Sequence, residues 1–468
     1  MKSYSNTMPE NVLSGGPLWI FHSILFIVSV SPLFLGSNRP LSWSLLSFFT
    51  GLLLIFWLIS LIFGNYSLTP QFIKIKFSFW MFAAIIAWII FQNSGLTPAS
   101  LHNIAWKDIS NILDIPVSGS ITVNPYNSNT ALMRLLTYGV IFFLSFQYSR
   151  RSRNARLALN VTLFAGLFYA LLGLYLYFTN YHFSSPLLKD LSHNGDLRST
   201  FINRNHYTCY TSIILIISLA KLFDVTSSKI ENHRISTGYF FGAITNIFQT
   251  GWFYLLLSIT VFSSILLTHS RGGFISVTIA CAILFSIFIS NAKNNKAPIM
   301  ISSITAFLCC IFFISISGED TSQRLRSTSI ENSRMNVYSA TINGIADSPI
   351  LGKGFGTYAE SFPKYRDSET NLFFAKAHNT YLETAFELGI PALILILLLL
   401  GSLLAICIMA IKKERRNIIY PAIGIASTVL IAVHSLVDFS VQIPAIASLY
   451  SMLLGTAVAQ SLKHKKTV

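Results

Sequence analysis

The chain has 468 residues, 53% hydrophobic and only 11% charged, with 38 Phe and a mean hydropathy of +0.58. Soluble domains carry roughly 25% charged residues, so the composition excludes an ordinary soluble enzyme and implies an integral membrane protein. A net charge of +15 and a pI near 9.6 could suggest nucleic acid. The Lys and Arg, however, are scattered over separate loops between apolar runs, which makes the charge topological and argues for no nucleic-acid partner.

Apolar runs of about 17–23 residues, enough to cross a hydrocarbon core as helix, are predicted near 18–34, 41–63, 72–91, 131–147, 157–178, 206–223, 251–268, 273–290, 298–316, 389–410, 418–437 and 443–461. Lipid offers the backbone no hydrogen-bond partners, so the expected fold is all-α: a polytopic bundle of about twelve transmembrane helices. Pro, Ser and Lys soften the ends of the second, third and fourth spans. The polar start MKSYSNTMPENVLSGGP lacks both a compact basic head and a small-residue cleavage site, so the first span reads as a retained anchor.

Taking the N-terminus as inside puts Lys74 and Lys76, the 150–156 arginine group, Lys221, Lys229, Arg234, Lys293, Lys296, Lys412, Lys413, Arg415, Arg416 and the last lysines on the inner side. The positive-inside rule then places both termini in the cytoplasm. The five Cys (209, 281, 309, 310 and 407) fall within spans without metal-type spacing, and no HExxH or CxxC motif or carboxylate cluster suggests a metal, so neither metal nor cofactor is expected.

Three outer regions exceed a tight turn: 92–130, 179–205 and 317–388. The first carries no evident chemistry. The third gives a division into residues 1–316 (membrane bundle), 317–388 (a large periplasmic loop with short helices) and 389–468 (C-terminal spans). Within it, SRMNVYSATINGI at 333–345 has helical spacing, DSPILGKGFGTY reads as a structured turn, and Thr380–Leu388 reads as a short helix with Asn379 as N-cap, ending at Gly389. The glycines of GKGFGT do not match a phosphate loop.

On this topology the outer-side cations are exceptions to the charge rule. Arg198 and Arg204 flank RSTFINRNHY, with Asn203 and Asn205 between and beside them; Arg271 lies in HSRGG; Arg324, Arg326 and Arg334 lie in the large loop. Guanidinium forks match phosphate oxygens. Arg271 could equally snorkel from a helix end, although Gly272 and Gly273 permit close backbone approach. Arg324 and Arg326 read as a solvated charge pair, whereas Arg334 at a helix N-terminus opposes the dipole and calls for an anion. His378 taken alone is more often a satisfied surface or core histidine than a catalyst, although the side-chain type suits proton transfer from a hydroxyl. Asn379, Glu383 and Glu387 form an i, i+4 stripe, most simply a polar face. His434 and Asp438 at the end of the eleventh span are a functional or a structural pair.

Four pieces in order, FINRNHY at 201–207, SRGG at 270–273, SRMNVY through SPILGKGFGTY at 333–358 and HNTYLETAFELG at 378–389, together with HSLVDFSVQIPA, resemble the O-antigen ligase and polymerase superfamily of bacterial envelope glycosyltransferases. The likeness covers about 200–440; the N-terminal third matches only as hydrophobic spans. The resemblance implies a metal-independent transferase of the bacterial inner membrane. It would act at the periplasmic face on glycan carried by undecaprenyl diphosphate. His378 would be the catalytic histidine, and Arg271 and Arg334 would hold the departing diphosphate. One departure is Tyr338, where the ligase pattern of Arg, three residues, Leu has its Leu. The expected acceptor is lipid A core; a growing O-antigen or exopolysaccharide chain, or a protein hydroxyl, uses the same chemistry. The rival of another class is a polysaccharide flippase or transporter, for which Arg134 in the fourth span is the one feature.

Overall fold

The computed structural model describes residues 13–64, 66–179, 195–230, 251–291, 328–366, 374–413 and 417–463. Its helices in chain order are α1 (Leu18–Val30), α2 (Pro40–Phe63), α3 (Lys76–Asn93), α4 (Ile104–Leu113), α5 (Pro125–Tyr148), α6 (Ser152–Thr179), α7 (Arg204–Ile230), α8 (Trp252–Leu266), α9 (Arg271–Asn291), α10 (Thr328–Asp347), α11 (Tyr358–Ser361), α12 (Thr380–Leu388), α13 (Ile390–Lys413), α14 (Ile419–His434) and α15 (Pro444–Ser461). Two-residue strands β1 (Leu13–Ser14) and β2 (Tyr66–Ser67) pair in parallel. The chain is an all-α bundle, and among the described residues seven helices are long and apolar enough to cross a membrane. The expected ninth span, 298–316, lies outside the described residues, as do Arg324 and Arg326; each of the other expected spans coincides with a helix.

Several boundaries differ from the periodicity, each for a local reason. The fourth expected span begins at Pro125 because Asn124 caps it, its side chain accepting from Asn127 N, with Pro at the first helical position. The hydropathy of PYNSNT hides that first turn and a half. The run beginning at 72 opens with a 3₁₀ stretch, Pro70–Ile75, before α3. α10 begins at Thr328, not near Ser333, so Arg334 lies beyond its first turn and the argument from an opposing dipole does not hold for it.

Burial sorts the helices. In their apolar windows α2 is 22% and α13 17% buried, so both turn Leu, Ile and Phe outward, as a lipid-facing helix does. α7 is 83% buried and is the central helix, packed on α8, α9 and α14. α15 is buried along almost its whole length and lies against α5 and α14. Helices in lipid gain from close approach, and Gly455 supplies it: a Cβ there would sit 2.4 Å from the carbonyl oxygen of Phe142 on α5.

Loops expected on one side meet at one end of the bundle. Leu197 N donates to Leu267 O at 2.9 Å, Thr380 N to Ser435 O at 2.8 Å, and Gln92 Nε2 to Glu387 O at 3.0 Å. At the opposite end Gln460 Nε2 donates to Arg150 O at 3.2 Å and Lys463 Nζ to Ser152 Oγ at 2.7 Å.

The glycine turn is a docking device. Gly352 has φ +69°, and a Cβ on it would approach the Glu387 carbonyl oxygen to 2.3 Å, while Gly354 N donates to that oxygen at 2.9 Å. The turn thereby clamps the end of α12, which stops at Gly389 as expected.

Candidate active site

The site is built on Asp438, fully buried in the turn between α14 and α15. Its Oδ1 lies 3.6 Å from His378 Nδ1 and its Oδ2 3.6 Å from His206 Nε2, ion-pair separations longer than hydrogen bonds. Asn205 Nδ2 donates to Oδ1 at 3.4 Å, and Ser440 Oγ donates to Oδ2. Burial alone would raise the carboxyl, but His378, His206, His434 and the Ser440 hydroxyl together hold it well below the usual carboxylate range. Phe439 contacts both imidazoles, its ring edge-on to His206 at 4.8 Å and to His378 at 5.1 Å.

His378 is 26% exposed at its side chain, with its backbone in the left-handed region at φ +54°. That conformation costs a non-glycine residue on the order of 1 kcal/mol or more and persists only when its surroundings impose it. Three contacts do so. Tyr338 OH donates to His378 O at 3.1 Å. Asn379 caps α12, its Oδ1 accepting from Tyr381 N and Leu382 N. Glu383 Oε2 accepts from Ala377 N at 2.9 Å.

Glu383 is 1% exposed; its Oε1 also receives Lys376 Nζ at 2.7 Å and Gln442 Nε2 at 3.0 Å. Glu387 is likewise buried and accepts from Tyr358 N at 3.0 Å. The stripe read as a polar face is therefore corrected: both carboxylates point inward and brace the loops beside His378. Thr380 adds a direct tie, its Oγ1 donating to Asp438 O at 3.0 Å.

The SRGG turn joins the same network. Ser270 Oγ donates to Asn205 Oδ1 at 2.8 Å, and Asn205 in turn reaches Asp438. A Cβ on Gly272 would meet Val437 Cγ2 at 2.7 Å, and one on Gly273 would meet Thr208 Cγ2 at 2.4 Å, so only glycines let α9 seat here. Arg271, exposed at the first position of α9, thus stands beside the 434–438 turn. Arg334 is half-buried on α10, one turn before Tyr338, and both its charge and that of Asp438 reach the Tyr338 phenol.

The other expected residues have different places. Arg204 Nη1 grips Asp196 at 2.8 and 2.9 Å, Arg198 approaches the same carboxylate at 3.9 Å, and His269 Nδ1 lies 3.1 Å from it. These arginines share a buried acid that the sequence reading did not single out. Asn203 accepts from Asn205 N at 2.8 Å and caps the start of α7. His434 is buried near Asp438, but Asp438 is outside the helix and turns its carboxylate toward His378 and His206. Arg134, the feature cited for a transporter, lies over the Trp43 ring at 4.9 Å.

Sequence reasoning missed His206, Phe439 and Ser440. His206 had a signal: an ionisable residue in the first turn of a span is a functional candidate by default. Ser440 and Phe439 had only their place in HSLVDFSVQIPA, since their contacts depend on how the turn folds back.

In comparison with known proteins, residues 255–397 fit the family model described as O-antigen ligase. No curated protein matches the chain. The fitted stretch holds Arg271, Arg334 and His378 and stops short of His434 and Asp438. Over that stretch, under a third of the chain, the protein is similar to the O-antigen ligase and polymerase superfamily, membrane glycosyltransferases by type.

Proposed function

We propose that the protein moves a preassembled glycan from undecaprenyl diphosphate to an acceptor hydroxyl at the periplasmic face of the bacterial inner membrane, with lipid A core as the acceptor. The observation that carries this reading is the buried Asp438 carboxylate beneath His378, linked through Asn205 and Ser270 to the turn that presents Arg271.

The chemistry follows from that arrangement. Asp438 faces Nδ1 and favours a proton there, which leaves Nε2 as the acceptor nitrogen. The acceptor oxygen attacks the anomeric carbon, its proton passes to His378 Nε2, and the bond from that carbon to the diphosphate oxygen breaks with its electron pair going to the leaving group. The developing charge falls to Arg271 and Arg334, whose forks suit phosphate oxygens. The step draws on no metal and no cofactor. The opposite end of the bundle carries Arg150, Arg151, Arg153, Arg156, Lys412, Lys413 and Lys463, which supports a cytoplasmic assignment for that end and for both termini.

Polymerisation of repeat units is the second reading, favoured by Tyr338 standing where the ligase pattern has Leu. Purified protein given carrier-linked glycan with lipid A core or with a second carrier-linked repeat distinguishes them by product mass. In the ligase assay Arg271→Ala is expected to lower the rate by about 10²-fold or more, as loss of a donor to developing charge does. An unchanged rate removes Arg271 from the mechanism.

A further inference from the structure

The basic end of the bundle holds a cavity of about 500 Å³, lined by Leu18 and His22 of α1 and by Arg151, Arg153, Asn154, Arg156, Leu157 and Asn160 at the start of α6. Three arginines face it and no acid does. Arg156 is engaged by the Tyr420 hydroxyl and by the charge of Asp224. Among the described residues Arg151 and Arg153 form no ion pair with a carboxylate. Repulsion among them and the helix dipole at this end of α6 both oppose such a cluster, so an anion in the cavity relieves both.

A second cavity, about 210 Å³, begins at the same Asn160 and continues between α6 and α8, lined by Leu163, Phe164, Phe253 and Tyr254. Arg153, Arg156, Asn160 and Leu163 lie along one face of α6 at helical spacing. Eleven residues separate Arg153 from Phe164, about 16 Å of helix. A cationic chamber at the membrane surface therefore opens, through one shared residue, into an apolar cleft running toward the hydrocarbon.

We propose that this pair of cavities binds an anionic phospholipid of the inner leaflet, its phosphate on Arg151, Arg153 and Arg156 and an acyl chain in the α6–α8 cleft. The charge fits a phosphate and the apolar continuation fits a chain, a combination that a soluble phosphate would leave half unused. The site lies at the opposite end of the bundle from His378 and does not depend on the transferase reading.

The test uses the full-length protein in detergent, titrated with phosphatidylglycerol or phosphatidylcholine, with bound lipid counted by native mass spectrometry. Wild type is expected to prefer phosphatidylglycerol, and the pair Arg151→Gln and Arg153→Gln to bind it about thirty-fold more weakly, the worth of two cations near an anionic surface. Asn160→Trp keeps every arginine and blocks the junction, so it too should lose phosphatidylglycerol; it holds the test open if the double variant misfolds. Equal binding of the two lipids by wild type, or undiminished phosphatidylglycerol binding in both variants, overturns the proposal. Displacement of the lipid by inorganic phosphate at equal concentration overturns it as well, since the chamber would then be a plain phosphate site.

Discussion

Among single residues, His378 is held in a backbone conformation that it does not favour. Its left-handed backbone is set by contacts on both sides, and one is the hydroxyl of Tyr338. The residue that departs from the ligase pattern is thus the one that ties α10 to the histidine. Tyr338→Phe keeps the ring and removes that bond. The expected cost is about 1 kcal/mol of stability, with a several-fold lower transfer rate, measured by thermal unfolding and by the glycan-transfer assay; a rate equal to wild type would mean the loop holds its shape without the hydroxyl. His378, Arg271 and Arg334 stood out in the sequence as polar residues outside the spans, and His378 lies beside the buried Asp438. Asp438 was legible only as a partner of His434, because spacing along a helix shows i, i+4 neighbours and says nothing of a loop that turns its carboxylate onto two other segments.

At the scale of elements, α12 is the brace of the site. It was legible nearly to the residue, since Asn379 and Gly389 are strong start and stop signals. Its inward face was not, because two glutamates four apart are more often solvated than buried. Glu387 carries a consequence for stability. Burial, the largest cause, and the neighbouring Glu383 raise its carboxyl to about 7, against Lys376 and the Gly356 and Tyr358 amides, which lower it. A folded-state value above the ordinary 4.5 means that the folded protein holds the proton more tightly. That contribution is full below about pH 4.5 and is lost as pH rises to about 7, a change on the order of 3 kcal/mol. Glu387→Gln keeps an oxygen for Tyr358 N and removes the titration. Thermal unfolding followed across this window should show wild type losing stability as pH rises and the variant staying flatter; identical slopes would mean that Glu387 does not titrate there.

At the scale of the whole molecule, hydropathy made the bundle legible, while the site needed four separate segments to meet at one end, which no local pattern encodes. Alternating spans bring the start of α7, the start of α9, α12 and the α14–α15 turn together, with the arginine-rich loops at the far end. Labelling single cysteines with a membrane-impermeant thiol reagent checks this disposition. A cysteine replacing exposed Tyr126 should react in intact spheroplasts, and one replacing exposed Arg153 only after the membrane is opened; the reverse pattern would invert the bundle.

If His378 is the base of a glycan transfer to lipid A core, the length distribution of carrier-linked and lipid A-linked glycan in the native host separates wild type from His378→Ala at equal protein level. The account predicts long chains retained on the carrier and bare lipid A core in the variant. Glycan on lipid A core in the wild-type amount and length would contradict it.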